Sequence, residues 1–160
     1  MFITITLPRT IVESAKREAE KLGISLEEYL LELISSSMSS RDKALEYVKV
    51  AKELLEQSVE ELRKGNVRQA AEKVWGAATL SIKAYAYWRE DKRITSHGEL
   101  WKYKEVVLRE IGEWVRETWI IASSMHICFY EGWCTDKDVE ISCKYVEKLI
   151  KEIEKIIKEQ

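Results

Sequence analysis

The fold is organised by residues 75–133, which begin Trp75-Gly-Ala-Ala-Thr-Leu-Ser-Ile82 and end Met125-His-Ile-Cys-Phe-Tyr-Glu-Gly-Trp133. This stretch holds all six tryptophans and both histidines of the chain. Large rings bury much apolar area, and a buried indole N–H usually needs a hydrogen-bond partner. The simplest interpretation is a tryptophan-rich helical core. The alternative adds a pocket to that core, formed by His97, His126, Tyr130 and Glu131 with Trp75 and Trp101.

Composition predicts a globular protein rather than a disordered one. The chain has 160 residues, of which 46% are hydrophobic and 34% charged, which suits one domain or one domain with a small appendage. A net charge of −2 disfavours broad binding to nucleic acids or anionic membranes. No apolar run approaches the ~20 residues of a membrane span, and no signal-peptide pattern opens the chain. We therefore expect a cytoplasmic protein without membrane contact.

The cysteines, Cys128, Cys134 and Cys143, are odd in number and lack paired spacing, which favours reduced thiols over a disulfide framework. Together with His126, their spacing matches no common zinc pattern, so we expect no metal and no cofactor. Lysine and glutamate are abundant, whereas the chain has one asparagine and three glutamines. This bias is reported for proteins of hot-living organisms.

Residues 2–7 read Phe-Ile-Thr-Ile-Thr-Leu and alternate in the manner of a half-buried strand, which Pro8 would end. A lone strand cannot satisfy its backbone groups, and no other segment has a strand pattern. We therefore predict that this strand pairs with its own copy in a second subunit, giving a homodimer with two-fold symmetry.

Two helices follow the predicted strand. The first spans about residues 9–22 and ends at Gly23, and Ser25 with Glu28 forms a capping box that opens the second. Strand, helix, turn and helix over about residues 2–38 resemble the ribbon-helix-helix family. In that family the paired strands enter the DNA major groove, which implies that Phe2, Thr4 and Thr6 would face the bases.

The charges of this segment favour dimerisation over DNA binding. None of the three outward residues is an Arg, Lys, Asn or Gln, the residue types that usually read bases in pairs of hydrogen bonds. Residues 1–40 hold four basic and six acidic side chains, a net charge of −2, whereas DNA affinity comes largely from neutralising phosphates.

The Ser-rich stretch Ser35-Ser-Ser-Met-Ser-Ser40 is the natural linker. It divides the chain into a dimerisation segment (1–38), a linker (35–41) and a helical body (42–160). Helical periodicity predicts helices over about 42–64, 67–90, 99–131 and 135–158, with a joint at Gly112 in the third. The predicted fold is thus mostly all-α: a four- to five-helix up-and-down bundle preceded by a strand and two helices.

Three motifs carry a second resemblance: Ala-Ala-Glu-Lys-Val-Trp at 70–75, Thr-Ser-His-Gly-Glu-Leu-Trp at 95–101, and His-x-x-Phe-Tyr-Glu at 126–131. Over about residues 42–158 the chain resembles the archaeal PaREP-one family, itself placed with HEPN-type helical bundles. That resemblance implies an HEPN-like bundle and a dimer. HEPN proteins include metal-independent ribonucleases of toxin–antitoxin or defence systems, nucleotide binders, and partners of nucleotidyltransferases.

Catalytic HEPN members carry an Arg and a His separated by four to six residues on one helix. Histidine would move protons at the ribose 2′-OH and the leaving oxygen, and a cation would stabilise the phosphorane. Here Arg93 and His97 have three residues between them, and Arg116 and His126 have nine. The second pair would lie about 15 Å apart along one helix. Catalysis by His126, His97 and Arg116 therefore requires a dimer or a helix break.

The sequence leaves three functions open. The favoured hypothesis is a non-catalytic, dimeric protein that binds a nucleotide or nucleic acid in a regulatory, toxin–antitoxin or defence setting. One alternative is a metal-independent endoribonuclease. The other is a structural module that binds a partner protein, in which both histidines would be buried core residues.

Overall fold

The computed structural model describes residues 2–160, which form seven helices. They are α1 (Arg9–Leu22), α2 (Leu26–Ser35), α3 (Ser40–Arg63), α4 (Val67–Glu90), α5 (His97–Ile111), α6 (Trp114–Glu131) and α7 (Asp136–Glu159). The prediction of a mostly all-α protein is confirmed, and α3–α7 provide the five helices of the predicted bundle. None of the helices in the described part is long and apolar enough to cross a membrane.

The predicted N-terminal strand is wrong. Residues 2–8 adopt no regular secondary structure, and residues 2–160 contain no β-strand. The alternating pattern is present, but a strand needs a second strand for its backbone hydrogen bonds, and the described chain provides none. The apolar side chains Phe2, Ile3, Ile5 and Leu7 are consequently exposed.

The helix ends follow the capping signals of the sequence. Gly23 ends α1 with a φ of 67°, and its N–H donates to carbonyls of the last turn. The Ser25 hydroxyl accepts from the Glu28 N–H at the start of α2, but the Glu28 carboxylate pairs with Lys83 instead of completing the predicted capping box. A capping box of Thr135 and Asp138 opens α7, and hydrogen bonds from Thr135 lower the pKa of the Asp138 carboxyl.

Helix α4 lies at the centre of the bundle and contacts α3, α5, α6 and α7. Its small side chains permit this close packing, and six of its alanines are fully buried: Ala70, Ala71, Ala77, Ala78, Ala84 and Ala86. A Cβ atom placed on Gly76 would lie 3.2 Å from Leu54 Cδ1 of α3. The approach of α3 to α4 therefore depends on the small residues of α4.

The break between α5 and α6 occurs at Gly112, as the sequence predicts. Gly112 has a φ of 145°, which disfavours residues with a side chain. A Cβ at this position would also lie 2.9 Å from the indole of Trp114. The glycine thus allows α6 to start anew beside α5 instead of continuing it.

Helices α1 and α2 form a small unit attached to the bundle. Helix α1 packs against α2, which in turn packs against α3. Two ion pairs attach α2 to the bundle: Glu28 pairs with Lys83 of α4 in a nearly buried setting, and Glu32 pairs through both oxygens with Arg93, at 2.9 and 3.0 Å. Residues 36–39 connect α2 to α3. The division into domains at this point stays a prediction.

The expectation that all thiols are reduced is wrong, because Cys128 and Cys134 form a disulfide. Helix α6 ends at Glu131, and Gly132, with a φ of 73°, reverses the chain. The turn brings the two Cα atoms to 5.7 Å, within the normal range for a disulfide. Cys143 remains a free thiol.

Candidate functional site

Three helices of the bundle bring Glu72, Trp75, His97 and His126 together. Glu72 and Trp75 lie one turn apart on α4, His97 is the first residue of α5, and His126 lies in the second half of α6. The contact of α4 with both α5 and α6 places these side chains on one surface. We call Glu72, His97, Trp101, His126 and Tyr130 the His126 surface.

A carboxylate and an indole fix the orientation of the His126 ring. Glu72 Oε2 lies 2.9 Å from His126 Nδ1. The Trp75 ring stacks on the imidazole, with centroids 5.4 Å apart and planes 28° apart. A proton on Nδ1 would be donated to Glu72 and would leave Nε2 as an acceptor. The side chains of His126 and Glu72 are 24% and 33% exposed, so the pair is accessible to a ligand.

His97 is the second imidazole at this surface. Its ring meets that of His126 edge to face, with centroids 5.5 Å apart, and also contacts Trp75. Residues 95–99 fix its position at the start of α5. The Ser96 hydroxyl caps the helix, and Glu99 accepts two hydrogen bonds from Thr95, which lower the pKa of the Glu99 carboxyl. His97 is exposed.

Tyr130 forms the outer side of the surface. Its ring contacts His126 edge to face at 5.1 Å, and the residue is 64% exposed. Arg68 of α4 donates to the carbonyl oxygens of Phe129 and Tyr130 at 2.8 and 2.5 Å. Beyond Tyr130 lies a groove of about 730 Å³ formed by residues 65–69 with Phe129 and Tyr130. Arg68 therefore holds the last turn of α6 and adds a positive charge beside the groove.

The tryptophans divide between core and surface. Trp75 and Trp119 are buried and lie 5.0 Å apart, whereas Trp101 is 42% exposed and lies edge to face on Trp119. The Trp119 Nε1 atom has no hydrogen-bond partner among the described residues. The expected tryptophan core thus exists only in part, and its outer members reach the His126 surface.

Arg116 does not join the two histidines. Glu105 binds its guanidinium at 2.8 and 3.0 Å, and Glu113 accepts a further hydrogen bond at 2.6 Å. The hydrogen bonds from Arg116 and Lys104 lower the pKa of the Glu105 carboxyl to about 2. Arg116 precedes His126 by ten positions on α6, or about 15 Å along the axis. The predicted trio therefore does not converge within one chain.

The other predicted residues lie at scattered positions. Glu131 is exposed at the end of α6. Phe2, Thr4 and Thr6 are exposed in the irregular N-terminal segment. No group of three or more His, Cys, Asp or Glu in residues 2–160 could hold a metal ion.

Glu72 is the member of the surface that the sequence analysis did not identify. Its position three residues before Trp75 places both on one face of α4, which is a usable signal. The link to His126 depends on how α4 and α6 align, and a single sequence does not specify that alignment.

Comparison with models of known protein families matches residues 46–150 to a family described as the archaeal PaREP1/PaREP8 family. The matched range includes every residue of the His126 surface. No curated protein and no solved structure matches the chain.

Proposed function

The chain belongs to the archaeal PaREP1/PaREP8 family, and from that premise we propose that it binds single-stranded nucleic acid or a nucleotide at the His126 surface. The observation that carries the proposal is the row of accessible rings at this surface. His97 and Tyr130 both meet His126 edge to face, and the exposed Trp101 lies one helical turn after His97 on α5. Aromatic faces stack on nucleobases, and each such contact contributes about 1–3 kcal/mol.

The charges predict how such a ligand would bind. Arg68 lies beside Tyr130, but the chain as a whole has a net charge of −2. Few phosphates would be neutralised, so few counterions would be released. We expect binding that depends on stacking and changes little with salt.

Fluorescence anisotropy with a labelled mixed-sequence RNA oligonucleotide tests this proposal. Tyr130→Ala should weaken binding about tenfold, since a lost stacking contact costs about 1–3 kcal/mol. Trp133→Ala is the matched control, because Trp133 is 60% exposed but outside the His126 surface. Equal losses in both variants, or no saturable binding of either RNA or nucleotide, would contradict the proposal.

A second candidate function, a metal-independent endoribonuclease, is favoured by the arrangement of Glu72, His126 and His97. One imidazole could accept the proton of the ribose 2′-OH while the other donates a proton to the leaving 5′ oxygen. Glu72 would orient His126 for this exchange. Arg116, which could stabilise the phosphorane, is not part of this group, because Glu105 of α5 and Glu113 before α6 bind it near the start of α6.

Incubation of RNA with the protein in EDTA distinguishes the two functions. A ribonuclease should cleave RNA but not the matching DNA, which lacks the 2′-OH, and His126→Ala should abolish the cleavage. Glu72→Gln should reduce it less, because the amide still accepts a hydrogen bond. Binding without cleavage supports the non-catalytic function, and neither activity would favour the protein-interaction module.

We propose that residues 2–38 mediate a homodimer through their apolar side chains. Ten large hydrophobic residues of this segment are exposed: Phe2, Ile3, Ile5, Leu7, Ile11, Leu22, Leu30, Leu33, Ile34 and Met38. Within α1, Ala19 is the buried residue. A surface this rich in apolar groups is typical of an interface, and a second copy of the same segment would be apolar in the same way.

Sedimentation equilibrium tests the dimer. Ile34→Glu should shift the protein toward monomer, because Ile34 is 67% exposed within the proposed interface. Ile120→Glu, at a residue 54% exposed on α6, is the control and should leave association unchanged. A wild-type monomer at high concentration would refute the dimer.

We also propose that the protein is cytoplasmic and that it acts in a regulatory, toxin–antitoxin or defence setting.

A further inference from the structure

The Cys128–Cys134 disulfide ties the end of the His126 surface to the next helix. Cys128 lies on α6 two residues after His126 and two before Tyr130. Cys134 directly precedes Thr135, the N-cap of α7. The bond therefore closes the turn through Gly132 and Trp133 and fastens the last turn of α6 to the start of α7.

The segment between the two cysteines has few other stabilising contacts. Tyr130, Glu131, Gly132 and Trp133 are all exposed. The hydrogen bond from Gly132 N–H to the Cys128 carbonyl, at 2.7 Å, is local. Arg68 holds two carbonyl groups of the last turn, but Arg68 is itself exposed. Segments with little apolar burial open locally at low free energy, so the disulfide and the Arg68 hydrogen bonds are the main constraints on this turn.

We propose that the Cys128–Cys134 bond is a reversible thiol–disulfide switch that keeps Tyr130 against His126 when oxidised and releases it when reduced. The effect of the switch on ligand affinity rests on the proposed function of the His126 surface. Its effect on the structure of the last turn of α6 is independent of that function.

The chemistry is an exchange with a dithiol. Cys134 is partly exposed and Cys128 is fully buried, so an incoming thiolate attacks Cys134 Sγ and Cys128 leaves as a thiolate that takes a proton. The second thiol of the reductant then attacks the mixed disulfide and releases Cys134. Two electrons and two protons pass to the protein, and the dithiol becomes a disulfide. An oxidised dithiol reverses both steps.

Cys143 does not compete in this exchange. Its sulfur lies 3.4 Å from Ser58 Oγ, between α3 and α7. Burial raises the pKa of the Cys143 thiol, so little reactive thiolate forms there. The family is archaeal, and intracellular proteins of heat-loving archaea are known to hold disulfides. The bond is thus compatible with the proposed cytoplasmic location.

Hydrogen exchange read by mass spectrometry tests the switch in the full-length protein. Peptides covering residues 126–135 should exchange faster after treatment with dithiothreitol, while peptides of α4 should not change. Cys134→Ser should reproduce the reduced pattern without reductant. Cys143→Ser is the matched control, which keeps the bond and should exchange like the oxidised wild type.

RNA affinity is then measured in both states. Reduction should weaken binding by at least about fivefold, the lower end of common coupling effects. The switch is refuted if residues 126–135 exchange equally in both states, if three free thiols are found after oxidation, or if a bound RNA is held equally well by both forms. If neither form binds RNA, the proposed function fails, and hydrogen exchange alone decides the switch.

Discussion

Helices α1 and α4 both have apolar residues at helical spacing, yet the two helices are buried to very different degrees. In α4, fifteen of the 24 residues are buried, including Lys83, because four other helices surround it. In α1, one residue of 14 is buried, because α1 packs mainly against a single helix, α2. The difference is one of neighbours, since both sequences have apolar residues at helical spacing.

This comparison shows where the chain stabilises itself and where it depends on another molecule. A helix with every face covered contributes its full apolar area to the fold of one chain. A helix covered on one side leaves its remaining apolar area in water until a partner arrives. We therefore expect mutations in the bundle to change folding stability, and mutations in α1 to change association.

The largest expected effect comes from removing the same side chain in each region. Ile82 of α4 is fully buried, so Ile82→Ala should lower the free energy of unfolding by about 2–5 kcal/mol. Ile11 of α1 is 54% exposed, so Ile11→Ala should change it by no more than about 0.5 kcal/mol. Urea unfolding at a concentration where the protein is monomeric measures both values. Equal losses would mean that α1 belongs to the same core as α4.

A smaller effect should arise at the junction between the two regions. Lys83 and Glu28 form an ion pair whose side chains are 7% and 11% exposed. Lys83→Met would leave Glu28 buried without a cation and should lower the free energy of unfolding by about 1–3 kcal/mol. The loss is limited because α2 can move away and return Glu28 to water.

The control for this junction is Lys49→Met, which breaks the exposed Lys49–Glu46 pair on α3 and should lower the free energy of unfolding much less than Lys83→Met does. Hydrogen exchange should show faster exchange in α1 and α2 of the Lys83→Met variant, with α4 protected. Uniformly faster exchange throughout the chain would show that the two regions unfold as one unit.

The smallest effect concerns a partly exposed ion pair within the bundle. Hydrogen bonds from Arg116 and Lys104 lower the pKa of Glu105 from 4.5 to about 2. A carboxyl with a lowered pKa stabilises the fold above its unfolded pKa, and this contribution is lost as the pH falls toward 2. Glu105→Gln should therefore have a slightly lower Tm at neutral pH, and the difference should vanish near pH 2. A difference that persists there would point to packing instead of charge.

The helices were well predicted because their signals are local. The predicted bounds 9–22 and 67–90 agree with α1 and α4, and Ser25 caps α2 as the sequence predicts. The strand failed because pairing is not a local property, and alternation alone says nothing of a partner. The disulfide was missed because the turn at Gly132, rather than the cysteine spacing, brings the two sulfurs together.

The candidate site was predicted in part. The concentration of both histidines and all tryptophans in residues 75–133 indicated the site, and the structure brings His97, His126, Tyr130 and Trp75 together through ring contacts. Arg116 was assigned by analogy with a motif spacing that this chain does not have, and the glutamates beside it bind it instead. Glu72 belongs to a common class of surface residue, so its role became visible only once α4 and α6 were aligned.

The small residues of α4 have a consequence for mutational tolerance. Most positions on a protein surface accept many amino acids, but each buried alanine of α4 and Gly76 accepts few, because a larger side chain would overpack the bundle at a cost of about 1–3 kcal/mol. In a saturation scan, residues 74–87 of this helix should therefore tolerate few substitutions at nearly every position. Substitutions would then accumulate in the helices around α4, so the surface of the bundle could change while the core packing around α4 stays the same.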